Sequence, residues 1–139
     1  MEAIYTAEAL STGAARDGHV RTADGLVDLD LAIPVEMGGK GGAPNPELLF
    51  ASGYAACFHS ALQAVARTAG KQLGDSSVGA RVSVVKEGQG FSLAVELEVV
   101  VPDLPHDEAQ ALADQAHQVC PYSNATRGNI EVTVTVSDD

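Results

Sequence analysis

Tryptophan is absent from this 139-residue chain, and three Phe and three Tyr are its only aromatic residues. A core without large rings is filled by small and branched side chains, and alanine and valine are plentiful here. Elements built that way approach one another closely. Basic residues are also scarce: eight Lys and Arg stand against nineteen Asp and Glu, a net charge of −11. Such a chain offers no basic face for phosphates, which excludes nucleic acid as a partner and disfavours docking on anionic membranes. No positively charged, apolar leader opens the sequence. No run approaches the length of a membrane span, because Ser52, Gly53, His59 and Ser60 interrupt the longest apolar stretch. The expected location is therefore the cytoplasm. Only two cysteines are present; in that compartment both are expected reduced, and any disulfide between them transient and catalytic. Paired metal ligands of the C-x-x-C or H-x-x-x-H kind are missing, which leaves His117 with Cys120, and His59 near Cys57, as weak rivals for a metal role. No metal or organic cofactor is expected. The Gly-x-Ser-x-Gly elbow of serine hydrolases is missing too.

Length and apolar content suit one domain spanning 1–139. Met1 to Tyr5 reads as the entry to a strand. Val27, Leu29, Leu31 and Ile33 alternate with Asp28, Asp30 and Ala32, the period of a half-buried strand. Gly18 and Asp24-Gly25 bracket His19–Thr22, so the first third is expected to be a small antiparallel meander. Residues 38–44, with four glycines, a lysine and a proline, form a loop. Its lysine lies inside the glycines and no Gly-Lys-Ser/Thr follows, so a flexible flap is expected rather than a phosphate loop. Asn45 suits an N-cap, Pro46 a first helical position and Glu47 the positive end of a helix dipole. From there to Val65 apolar residues occupy nearly every side, which predicts a helix buried all round and ended by Gly70. Val78 to Val84 and Phe91 to Val101 alternate as a long hairpin. Ala109, Leu112, Ala113, Ala116 and Val119 predict a second amphipathic helix, stopped by Pro121. Ile130, Val132, Val134 and Val136 close the chain as a strand. The predicted order is β-β-β-α-β-β-α-β, an α+β fold with an antiparallel sheet and a long buried central helix.

The two cysteines differ in setting. Cys57 lies in an almost unbroken apolar run, Leu48 to Phe58, and Cys120 opens the polar segment Cys120-Pro121-Tyr122-Ser123-Asn124-Ala125-Thr126-Arg127-Gly128-Asn129-Ile130. The expectation is a shielded thiol at Cys57 and a second thiol on a movable segment where a helix stops, the two parts of a two-cysteine redox cycle. Taken singly, a cysteine on an alanine-rich helix more often just packs. Burial also raises a thiol's pKa, so a working Cys57 needs a cation nearby. Arg16, Arg67, Lys71 and Arg127 are the candidates.

These two segments resemble the signature stretches of the organic hydroperoxide resistance group of the OsmC superfamily. Tyr5-Thr6-Ala7 resembles that family's first strand, Arg16-Asp17-Gly18 its first turn, and Gly38-Gly39-Lys40-Gly41-Gly42 its glycine loop. The likeness covers nearly the whole chain. It departs in a glycine loop about a residue short, in Leu48 where glutamine is commoner, and in His19 after the Arg-Asp-Gly turn. The resemblance implies an OsmC-like fold and a thiol peroxidase acting on organic hydroperoxides. It assigns Cys57 as the attacking thiol, Cys120 as the resolving thiol, Arg16 as the cation that steadies the thiolate, and Glu47 as the partner of that arginine. It implies a dihydrolipoyl group as the external reductant. Phe50, Tyr54 and Phe91 are candidate apolar walls of a substrate pocket.

Glu47 and Cys57 are ten residues apart, about 15 Å along one straight helix. That separation and the all-round apolar helix both predict an intertwined homodimer, in which one chain's Glu47 approaches the other's Cys57. Two other readings remain at this point. One is an OsmC-branch peroxidase with broader peroxide use. The other is a non-enzymatic dimeric module that holds an apolar ligand.

Overall fold

A computed structural model describes residues 1–138. The elements run β1 (Ala9–Thr12), β2 (His19–Thr22), β3 (Asp28–Asp30), α1 (Pro46–Thr68), β4 (Ser77–Glu87), β5 (Gly90–Val100), α2 (His106–Val119), α3 (Pro121–Thr126) and β6 (Glu131–Ser137). Short 3-10 turns occupy Ala15–Asp17 and Val35–Met37. This is an α+β fold. Two compact units divide the chain, Met1–Leu49 and the part from Phe50 onward, with the boundary inside α1.

The first unit is the expected meander, β1-β2-β3, antiparallel throughout. It begins later than the sequence predicts, since Met1 to Glu8 make no strand and β1 starts at Ala9. It also ends sooner. The alternation from Val27 to Ile33 yields only a three-residue β3, because the next backbone groups are engaged elsewhere. Leu31 N–H donates to the Gly18 carbonyl (2.8 Å), Ala32 N–H to Pro44 (3.0 Å) and Ile33 N–H to the Asp17 carboxylate (2.9 Å). Leu31 and Ala32 are consequently both buried, which breaks the period of two.

The glycine loop is held rather than loose. Gly39 N–H donates to Pro34 and Gly41 N–H to Ile33, each at 3.0 Å. A Cβ at Gly39 would stand 2.1 Å from the Ile33 carbonyl oxygen, so only glycine fits.

Asn45 caps α1 as expected, its Oδ1 accepting the Leu48 N–H at 2.9 Å. At the other end Gly70 takes a left-handed conformation, φ 73°, and Lys71 N–H returns to the Ala66 carbonyl. The helix is not buried all round. Tyr54, Phe58, Leu62 and Ala66, four residues apart, form its only buried stripe, while Leu48, Ser52, Ala56, Ser60, Gln63 and Arg67 are exposed. The elements around it within one chain cover a single side. By length and composition alone α1 is long and apolar enough to cross a membrane, contrary to the expectation that no run approaches that size. An interior helix passes the same test, and the Tyr54 stripe belongs to the core.

In the second unit β4 and β5 form the predicted hairpin, in register from Ser77↔Val100 to Glu87↔Gly90. β6 pairs with β5 in parallel, from Ala94↔Glu131 to Val100↔Ser137. A parallel neighbour requires a crossover, and α2 with α3 provide it. Val95, Leu97 and Val99 stand opposite Val82, Ala80 and Val78 on one side and Val132, Val134 and Val136 on the other. This sheet face, the α1 stripe and Ala109, Leu112, Ala113 and Ala116 of α2 make one hydrophobic cluster.

Pro121 does more than stop α2. It occupies the first turn of α3, where its missing N–H costs nothing. Cys120 is shared by both helices: its N–H bonds Ala116 (2.8 Å) and its carbonyl accepts from Asn124 (2.9 Å).

Replacing Gly39 with Ala is expected to lower the unfolding free energy by about 1–3 kcal/mol, the cost of overpacking. Gly79 of β4 has nothing within 4 Å of its ideal Cβ. There Ala is expected to be neutral or to stabilise by about 0.5–1 kcal/mol. Urea midpoints of the two variants decide; equal effects would mean that the loop accommodates the methyl group.

Candidate active site

The two thiols meet. Cys120 Sγ lies 3.5 Å from Cys57 Sγ, and both are free. A disulfide needs about 2.05 Å, so the sulfurs are about 1.5 Å short of bonding distance. Their exposure is the reverse of the sequence expectation. Cys120 has no exposed surface, whereas Cys57 is half-buried. Helix phase explains both. Cys57 precedes Phe58 by one residue and so sits at the edge of the α1 stripe. Cys120 follows Ala116 by four and continues the inner face of α2, where Val119 had been expected; Val119 is exposed.

Burial pushes the Cys57 thiol above its ordinary pKa, and the neighbouring Cys120 adds to that shift. The backbone N–H of Tyr122 opposes it by hydrogen bonding to Cys57. The segment that carries Cys120 thus also solvates the Cys57 sulfur.

Three rings gather along the same helix. Phe50, Tyr54 and Tyr122 have centroids 5.6–5.9 Å apart, and Tyr122 stacks on Phe50 at 17°. Gly53, one turn before Cys57, makes room for this: a Cβ there would lie 3.0 Å from the Tyr122 hydroxyl. Of the expected pocket residues, Phe50 is half-buried in this group. Tyr54 is 0% exposed and offers no open wall; its hydroxyl bonds Ser123 (2.8 Å) and Thr126 (3.1 Å). Phe91 is 74% exposed at the start of β5 and outside the core cluster, so it does not belong with these rings. Tyr122 stands with Phe50 and Tyr54 instead. Its signal was present in Cys120-Pro121-Tyr122, where a helix starting at Pro121 projects the next side chain beside the cysteine.

In the first unit Arg16 and Glu47 form a two-pronged ion pair, Nη1 to Oε1 at 2.8 Å and Nη2 to Oε2 at 3.0 Å. The Arg-Asp-Gly turn builds the arginine's perch. The Asp17 carboxylate fastens Ile33, and Gly18 permits an approach to the Thr12 carbonyl that a Cβ would block at 2.2 Å. Glu47, in the first turn of α1, is largely buried, and Arg16 is less so. The hydrogen bond from Arg16 holds the Glu47 carboxyl below its ordinary value, against the opposing effect of burial. Glu47 in turn raises Arg16. Two of the other candidate cations are engaged differently. Lys71 pairs with Glu108 at 2.7 Å, and Arg127 donates to the His117 carbonyl.

A carboxyl whose pKa is depressed by folding stabilises the fold above its unfolded value, and that contribution is lost as pH falls through the folded value. Arg16→Ala is therefore expected to move the Glu47 midpoint up, into or above the usual carboxylate range, because burial remains. Carbon-detected NMR titration of Glu47 checks this; an unmoved midpoint would remove Arg16 as the cause.

The OsmC-like protein family model matches residues 39–135. The organic hydroperoxide resistance protein of Xanthomonas axonopodis pv. citri is 48% identical over 136 residues, covering 96% of this chain and 95% of that protein. The organic hydroperoxide resistance protein OhrB of Bacillus subtilis is 43% identical, covering 94% of this chain and 96% of that protein. The crystal structure of an organic hydroperoxide resistance protein from Legionella pneumophila superposes with a TM-score of 0.93 at 51% identity, covering 98% of this chain and 99% of that one. A matching family model, near-complete relatives and a shared fold converge, and the chain belongs to the OsmC-like family, in its organic hydroperoxide resistance group.

Proposed function

We propose that this protein is a thiol peroxidase for organic hydroperoxides. The observation that carries the reading is the 3.5 Å approach of a half-buried thiol and a fully buried one. The Cys57 thiolate attacks the distal peroxide oxygen; the O–O bond breaks, the alkoxide takes a proton and leaves as an alcohol, and Cys57 becomes a sulfenic acid. The Cys120 sulfur then displaces the sulfenic hydroxyl, whose departure with the Cys120 proton releases water and leaves a disulfide. An external dithiol returns both thiols; the family resemblance favours a dihydrolipoyl group. The cycle uses no resident metal or organic cofactor. It suits a reducing compartment such as the cytoplasm. The reading assigns Arg16, oriented by Glu47, as the cation that favours the Cys57 thiolate, whose burial otherwise works against it. The stacked Phe50 and Tyr122 rings favour fatty or aromatic hydroperoxides over hydrogen peroxide.

The reading includes a homodimer. The exposed face of α1 carries Leu48, Leu49, Ala56 and small polar residues, a surface that a second copy would cover.

With one equivalent of cumene hydroperoxide, the parent protein is expected to lose two titratable thiols per chain. Cys57→Ser should lose none, and Cys120→Ser should consume about one equivalent and stop at a sulfenic acid. A parent that keeps both thiols would return the chain to the ligand-module reading.

The dimer is tested by mixing. Subunits carrying Glu47→Ala are combined with subunits carrying Cys57→Ser under conditions of exchange. Activity is expected to reappear, because one site of each mixed dimer then pairs an intact Glu47 with an intact Cys57. A monomer by sedimentation, or exchanged dimers that stay inactive, would count against the composite arrangement.

A further inference from the structure

Four polar side chains around the thiols have no part in the reading above. Ser123 Oγ lies 2.7 Å from His117 Nδ1 and 2.8 Å from the Tyr54 hydroxyl. That hydroxyl also lies 3.1 Å from Thr126 Oγ1, whose own hydroxyl donates to the Ser123 carbonyl at 3.3 Å. Tyr54 and Ser123 are wholly buried, and among the described residues no buried side-chain polar atom lacks a partner. The placement is not scattered. Tyr54 is three residues before Cys57 on α1, His117 three before Cys120 on α2, and Ser123 three after it on α3. The hydrogen bonds therefore tie together the three helices that carry the two sulfurs. Burial, then Arg127, holds the His117 imidazole below its ordinary pKa against the pull of Asp114, which favours the uncharged ring.

A sulfenic acid at Cys57 has two fates. It condenses with Cys120, or a second hydroperoxide oxidises it to a sulfinic acid while releasing a second alcohol. The first fate is intramolecular, and its advantage depends on holding the attacking sulfur within reach. Cys120 sits at a junction of two helices, one of them only six residues long. Backbone bonds fix its main chain, and the angle of α3 against α1 is held by the Tyr122 N–H on Cys57, the Tyr122 ring on Phe50 and the link from Ser123 to Tyr54, which alone of the three also reaches His117 on α2.

We propose that His117, Ser123 and Tyr54 position Cys120 for disulfide formation, setting the rate of the resolving step and hence resistance to over-oxidation, without touching the attack of Cys57 on peroxide. The proposal rests on the peroxidase reading.

Ser123→Ala removes the central hydroxyl. With one equivalent of cumene hydroperoxide, rapid-quench thiol counting should show the first thiol lost at the parental rate. The second should be lost about tenfold more slowly or worse. As peroxide is raised, intact mass should show sulfinic acid at lower concentrations than in the parent. His117→Leu should reproduce the defect, and His117→Asn, whose amide reoccupies the Nδ1 position, should restore the parental rate. That pair decides the matter if Ser123→Ala does not fold. Parental resolution and parental sulfinic yield in folded Ser123→Ala or His117→Leu would overturn the proposal while leaving the peroxidase reading intact. Equal slowing of both steps, or no rescue by His117→Asn, would also overturn it. A parent that loses neither thiol overturns both.

Discussion

The rotation of α1 about its own axis decides where everything else in the second unit falls. An α-helix turns about 100° per residue, so fixing one face fixes all of them. Tyr54, Phe58, Leu62 and Ala66 face the sheet and α2, and the buried Tyr54 hydroxyl is committed to Ser123 and Thr126. Turning the helix would strand that hydroxyl without a partner, a cost of about 1–3 kcal/mol on top of the lost apolar contacts. With the rotation set, Cys57 is placed at the boundary between core and surface, Gly53 under the Tyr122 ring, and Leu48, Ser52 and Ala56 outward.

The same geometry sets a tension at the thiols. A half-buried Cys57 resists ionisation, yet only its thiolate is a nucleophile. The Tyr122 N–H offsets part of that resistance locally. The two-pronged Arg16–Glu47 pair shows how an arginine is kept oriented: both guanidinium donors are fixed on a carboxylate that they hold below its ordinary pKa. The greater burial of Cys120 has its own chemical sense. A thiol with no exposed surface is shielded from solvent, whereas its neighbour is only half-buried.

Much of the fold was legible because its signals are local. Asn45-Pro46 and Gly70 carry the start and stop of α1 in their own conformational preferences, and the period of two in Val78–Val84 and Phe91–Val101 specifies a hairpin. What failed to show was decided by partners distant in sequence. β3 stops at Asp30 because Asp17, Gly18 and Pro44 take the next N–H groups. Parallel pairing of β6 leaves no mark, since a strand alternates alike in either direction. Pro121 was read for its power to end a helix and not for its equal fitness to begin one, so α3 and Tyr122 went unseen. The burial of Cys120 was available in its spacing from Ala116, but the polar residues that follow it suggested an open segment. Those residues are polar because they bond one another: Ser123, Thr126 and His117 look like surface residues singly and form an interior network together.

The parallel pairing of β5 and β6 bears on how the chain reaches its folded state. The β4–β5 hairpin joins residues close in sequence and can form early, whereas β6 must return across the whole α2–α3 crossover before it finds β5. Non-local pairing of this kind is slow. Cys120 rides on that crossover, between β5 and β6, so the segment that carries it is closed at both ends only when the parallel pairing is made. The contact between the two sulfurs joins residues 63 apart in sequence and belongs to the same class of non-local pairing.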